Sequence, residues 1–127
     1  MKCRIILELL AILFFTGCYN REQISRLDEA EALIQNKPDS ALTILQQLKS
    51  EGSQAEQARY ALLYSEALDK NHIKATNDSL IRRAWEYYKH HPKDLRRQCK
   101  TLYYWGKVKL RAGDKPGALR LYLIVEE

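Results

Sequence analysis

Residues 102–122 read LYYWGKVKLRAGDKPGALRLY, and no other stretch constrains the fold of this chain as strongly. Two helical patterns run into and out of Gly113-Asp114, and small residues, Gly106 and Ala118, stand where two antiparallel helices have to approach closely. Gly113 suits the left-handed backbone that commonly ends a helix, because a residue without Cβ adopts it at little cost. Asp114-Lys115-Pro116 then brings the carboxylate and the proline that favour a helix start. The stretch predicts a helical hairpin.

The preceding residues repeat the theme. Ile24, Leu27, Ala30 and Ile34 recur at three- and four-residue spacing and share one face of a helix predicted over 21–35, which Asn36-Lys37-Pro38 stops. Asp39 and Ser40 are placed to cap a second helix reaching about residue 50, with Ala41, Leu42, Leu45 and Leu48 as its apolar face. A third helix over 54–70 carries Ala58, Ala61, Leu62, Ser65 and Leu68 on one stripe, widened by Tyr60, Leu63, Tyr64 and Ala67, as an inner helix requires. Polar residues 71–77 lead to an Asp78-Ser79 cap and a fourth helix marked by Ile81, Ala84, Trp85 and Tyr88, closed by His90-His91-Pro92. A fifth helix over 93–112 presents Leu95, Cys99, Leu102 and Gly106, and a sixth begins at Asp114. The expected fold is all-α, with hairpins at about 21–50, 54–90 and 93–127.

The three caps, Asp39, Asp78 and Asp114, are 39 and then 36 residues apart, close to the period of a helical repeat array. The segments YALLYSEALDKN, DSLIRRAWEYY and YYWGKVKLRAGD resemble the tetratricopeptide repeat (TPR) family. Leu102, Trp105 and Gly106 look like the large-large-small set of a TPR first helix, and Ala118 and Tyr122 like the small and aromatic residues of its second. Lys109 stands where the family typically has a tyrosine, while Ala61 and Tyr64 recover part of the pattern in the middle unit. The resemblance implies an α-α superhelix of about three hairpins, the last incomplete, in which stacking neighbours completes the core. It also implies that first helices line a concave surface for a protein or peptide partner. Arg59, Glu66, Arg97, Lys100, Tyr104, Lys107 and Arg111 are the contacts carried over on that basis, facing away from the core. Basic residues there would favour an acidic segment, and reversing Lys100, Lys107 and Arg111 is expected to weaken capture without unfolding. Residues 119–127 are expected to form a second helix with no polar capping helix after it. Either the array is truncated relative to longer relatives, or self-association or a partner covers that face.

At the other end, residues 5–15 are apolar apart from Glu8 and follow Lys2 and Arg4. At about 1.5 Å per residue such a run falls well short of a hydrocarbon core roughly 30 Å thick, but it suits a signal-peptide core. Phe15-Thr16-Gly17-Cys18 resembles the lipobox of bacterial lipoproteins, with Phe15 in place of the usual leucine. That resemblance implies removal of 1–17, acylation of Cys18 and a mature domain over 18–127, anchored to membrane lipid in a bacterial envelope and facing the periplasm or the surface. Tyr19 is not the aspartate that commonly retains lipoproteins in the inner membrane, which favours the outer membrane. The alternative is a buried N-terminal helix with a chance Gly-Cys. In the lipoprotein reading Cys99 is left as a lone thiol, a small hydrophobe on its helix's apolar stripe.

Charge divides the chain. Residues 18–81 hold 7 Lys/Arg against 10 Asp/Glu, whereas 82–120 hold 12 against 3. The basic side chains interleave with Trp85, Tyr87, Tyr88, Tyr103, Tyr104 and Trp105, which leaves three readings open: solvated helix faces, a surface for acidic protein or anionic lipid, or a nucleic-acid interface. Export would make nucleic acid the least favoured. His72, His90 and His91 have no Cys, Asp or Glu at metal-ligand spacing, and neither a glycine-rich phosphate loop nor a nucleophile motif occurs. No enzyme activity, metal or cofactor is expected. The expected function is a membrane-anchored scaffold for protein–protein contacts; the alternative is a truncated sensory TPR region of a signalling or transcriptional regulator.

Overall fold

A computed structural model describes residues 2–126, with side chains for 2–12 and 21–126. Among the described residues every regular element is a helix: α1 (Lys2–Leu33), α2 (Pro38–Gln47), α3 (Gln54–Lys70), α4 (Ser79–Tyr88), α5 (Leu95–Arg111) and α6 (Lys115–Glu126). The fold is all-α, built from consecutive hairpins. Each helix packs on the next, and the odd-numbered helices also stack on one another, α3 on α1 and α5 on α3, whereas α2, α4 and α6 do not touch each other.

The core follows from this order. One cluster joins Leu27, Ala30 and Ile34 to Ala41, Leu42, Ile44 and Leu45 of α2 and to Leu63 and Ala67 of α3. A second joins Ala58, Ala61 and Leu62 of α3 to Ile81, Ala84 and Tyr88 of α4 and Tyr104 of α5. Only α3 contributes to both, and for that reason its apolar stripe is the broadest. Each fully buried Leu or Ile, such as Leu27, Leu45 or Ile81, is worth roughly 1.5–3 kcal/mol relative to exposure.

Two helix ends share one device. After α5, Gly113 takes φ +85°, its N–H donates to the Leu110 carbonyl (3.1 Å), and the Asp114 N–H donates to the Lys109 carbonyl (2.9 Å). This is a Schellman ending. The end of α3 has the same pair of bonds, His72 N–H to Asp69 (3.0 Å) and Ile73 N–H to Leu68 (2.9 Å), with His72 at φ +59° in the glycine's place.

Several boundaries differ from those read in the sequence. The first helix, expected from residue 21, runs unbroken from Lys2. Residues 2–12 of it are exposed on every side, Ile5, Ile6, Leu7 and Leu9 included. Ile24 is 40% exposed, and the inward place goes to Gln23, whose Nε2 donates to the carbonyls of Lys49 (2.8 Å) and Glu51 (3.2 Å) in the α2–α3 turn. Pro38, which has no N–H to satisfy, opens α2, so Asp39 and Ser40 lie inside the first turn and do not cap it. The second helix ends at Gln47 because Leu48 turns extended. Asp78 makes no side-chain cap for α4; Asn77 Oδ1 accepts the Ser79 N–H instead, at 2.9 Å. The fifth helix starts at Leu95, where Asp94 accepts the Arg97 N–H, and this leaves Leu95 63% exposed ahead of the packed turns. No helix among the described residues is long and apolar enough to cross a membrane.

The close approach of α5 and α6 is testable. A Cβ built on Gly106 would lie 2.4 Å from Tyr122 Cε1. Gly106→Ala should therefore destabilise by about 1–2 kcal/mol by overpacking. In a Tyr122→Ala background the same change should stabilise by up to about 1 kcal/mol, the helix propensity of alanine over glycine. Urea unfolding of the four variants measures this cycle, and an effect of one sign in both backgrounds rejects the contact.

Candidate functional site

The seven residues expected to face a partner lie along the stacked row of α1, α3 and α5, but not as a free groove. On α3, Glu66 and Asp69 are three positions apart and share a face, and on α5 Lys100, Lys107 and Arg111 share the face opposite. Lys100 Nζ is 3.0 Å from Glu66 Oε2 and 3.2 Å from Oε1. Lys107 Nζ is 2.7 Å from Asp69 Oδ2, and Arg111 Nη2 is 2.8 Å from Asp69 Oδ1. Towards α1, Arg59 pairs with Asp28 (2.6 Å) and with Glu31. Glu31 also meets Arg97 Nη2 of α5 at 3.5 Å, and Arg97 pairs with its own capping Asp94 at 2.9 Å. Arg59, Arg97, Lys100, Lys107 and Arg111 are thus gathered on one surface, each already joined to a carboxylate of this chain.

Glu66 and Tyr104 correct the expectation that these side chains face away from the core. Glu66 is 1% exposed and Tyr104 7%. The crossing of α5 over α3 buries both: the Tyr104 ring enters the second core cluster, and Lys100 reaches the Glu66 carboxylate beside it. Gln35 Nε2, from the turn after α1, adds a second donor to Glu66 at 3.0 Å. Burial, and then the negative charge of Glu66, hold the Tyr104 phenol well above its ordinary pKa. Burial likewise pushes Tyr88 up to about 12. Neither phenol ionises near neutral pH, so neither can act as a base there.

The arginines keep their charge for a related reason. Burial opposes the charge of Arg59, yet its hydrogen bonds to Asp28 and Glu31 prevail and raise its pKa; Asp94 and Glu31 do the same for Arg97. A second polar junction lies towards α4. Asp78 accepts the Trp105 Nε1–H at 3.0 Å and has Lys109 Nζ at 3.5 Å. Burial alone would raise the Asp78 pKa, but the Trp105 hydrogen bond and the Lys109 and Arg82 charges outweigh it and lower the value below the usual 3.8.

Much of the charge asymmetry of the sequence is therefore spent across the α1–α3–α5 row. The acids Asp28, Glu31, Asp69 and Asp94 were not among the expected site residues; the three-residue spacing of Asp28 and Glu31, and of Glu66 and Asp69, was the available signal. The Cys18 side chain lies outside the described residues, and Cys99 is half-buried and free. His91 stacks on Tyr87 with ring centroids 3.9 Å apart, and its Nδ1 lies 2.7 Å from the Tyr87 carbonyl, which accounts for it as part of a helix end. Among the described residues no group of three or more His, Cys, Asp or Glu could hold a metal. No protein-family model, curated protein or solved structure matches the chain.

Two outcomes follow from this geometry. Reversing Lys100 is not neutral for the fold, because it leaves a buried carboxylate without its cation; even Lys100→Ala should cost about 3 kcal/mol. The double variant Glu66→Leu/Lys100→Leu should recover most of that loss in denaturant unfolding, and a Lys100→Ala variant as stable as wild type contradicts the assignment. For Asp78 the lowered pKa means that its stabilisation is complete above the unfolded value near 3.8 and is lost as the pH falls through the folded one. The stability gap between wild type and Asp78→Asn should be open at neutral pH and close below about pH 4; a gap independent of pH rules out this role.

Proposed function

We propose that the chain is a TPR-type envelope lipoprotein that serves as a scaffold for a protein partner along the face of α1, α3 and α5. The observation that supports this best is the stacking of the odd-numbered helices while the even-numbered ones stay apart, the arrangement a curved repeat array needs to give one row an inner surface. That surface carries charged side chains held in fixed positions, which suits recognition. An acidic segment engaging Lys100, Lys107 or Arg111 exchanges one carboxylate for another, so charge orients the partner more than it adds affinity. No catalytic role is assigned.

The lipoprotein part of the reading draws on residues 2–12. They are exposed all round and outside both core clusters, with a basic start at Lys2 and Arg4 and a mostly apolar run after it, as a segment handed to a membrane and then removed would be. Loss of 1–17 leaves the buried Gln23 and Leu27 untouched. A second reading, the sensory region of a signalling regulator, takes its support from the exposed row Leu119, Leu123 and Ile124 on α6, which would pack against a further helix of that regulator.

Membrane fractionation and intact-mass measurement of wild type and Cys18→Ser in a bacterial host test the tether. Wild type should lose residues 1–17, gain acyl chains and sediment with the outer membrane, while the variant stays unprocessed. A full-length, unacylated and soluble wild-type product overturns the lipoprotein reading.

A further inference from the structure

The three connections between paired helices are unequal. Residues 34–37 and 112–114 close two hairpins, but residues 71–78 join α3 to α4. This longer connection, turned back by the left-handed His72, covers a cavity of about 180 Å³ between α3, α4 and α5. Leu68, Ile73, Leu80 and Val108 make its apolar wall. Lys107 and Arg111, one turn apart on α5, line another side, and Asp69 between them is the only carboxylate among the lining residues.

The charges do not balance locally. Asp69 engages Lys107 at 2.7 Å and Arg111 at 2.8 Å, and the remaining Arg111 contact is a long one, 3.5 Å, to the Ile73 carbonyl. An ammonium has three N–H donors and a guanidinium five, so both cations keep donors beyond those Asp69 uses. Two cations against one anion leave a single positive charge beside an apolar chamber. Size narrows the class further. An apolar cavity of about 150 Å³ holds one benzene ring, so the present one admits a single ring or a branched aliphatic group with one carboxylate, and excludes a nucleotide.

We propose that this cavity binds a small apolar monocarboxylate, its ring or branched body against Leu68, Ile73, Leu80 and Val108 and its carboxylate between Lys107 and Arg111. The site is independent of the tether, but it shares Lys107 and Arg111 with the proposed partner face, so a bound ligand would compete with a partner that uses them. Bound there, the ligand would also hold the 71–78 connection against α5.

Benzoate titrated into the full-length chain, followed by amide chemical shifts and thermal unfolding, tests the proposal. Saturable shifts around residues 68–80 and 107–111 and a rising unfolding midpoint are expected. Benzamide should bind at least tenfold more weakly for want of the charge-assisted bonds, and acetate should not raise the midpoint. Ala75→Phe, which fills the chamber from the connection, should abolish the benzoate response. If that variant does not fold, Arg111→Met should bring benzoate down to the level of benzamide. Absence of saturable benzoate binding, equal affinity for benzamide, or undiminished binding to folded Ala75→Phe each overturns it.

Discussion

The carboxylate of Glu66 is the point on which the rest of the helix packing depends. A charged group taken out of water is costly unless every lone pair finds a donor. Glu66 is held there because two other segments bring donors to it: Gln35 from the turn after α1 and Lys100 from α5. Leucine packing alone would tolerate a slip of one helix along its neighbour. A buried carboxylate with donors from both sides does not, so Glu66 fixes the register of α1, α3 and α5 at once.

The other ion pairs extend the same logic towards the surface. Asp28 and Glu31 receive Arg59, Glu31 also receives Arg97, and Asp69 receives Lys107 and Arg111. Inner helices are added in chain order, so acids early in the chain meet bases that come later. An acidic first half and a basic second half are what this order of assembly produces, with no need for an external polyanion. These outer pairs are partly solvated and individually weak, and their contribution is orientation of the face they line.

The departures from the regular hairpin mark where the chain can act. The exposed apolar side chains Ile5, Ile6, Leu7, Leu9 and Leu10 of α1 and Leu119, Leu123 and Ile124 of α6 lie outside the shared core. The one long connection, 71–78, leaves a chamber where the other hairpins close tightly. In each case the departure from the regular hairpin is the feature that carries a functional reading.

What the sequence determined by itself is local. Spacing near 3.6 residues placed six helices, with α3 correct at both ends, because periodicity and propensity act within a few turns. Gly113 was legible as a left-handed helix end and Gly106 as a close approach, since the missing Cβ has no other use there. His72 adopts the same backbone as Gly113 but gave no sign of it, because only the surrounding Schellman bonds make the conformation acceptable in a histidine. Gln23 and Ile24 exchanged places for a similar reason: the nearby turn carbonyls reward the amide over the hydrocarbon. The candidate surface was legible as a set of residues on the right helices, but not in its orientation. A glutamate on an inner helix reads as solvated until its partners are known, and Glu66 finds them 31 and 34 positions away. Tertiary structure alone decided that burial, because the stagger of α5 against α3, set by the packing of Tyr104 among alanines, selects which lysine can reach which carboxylate.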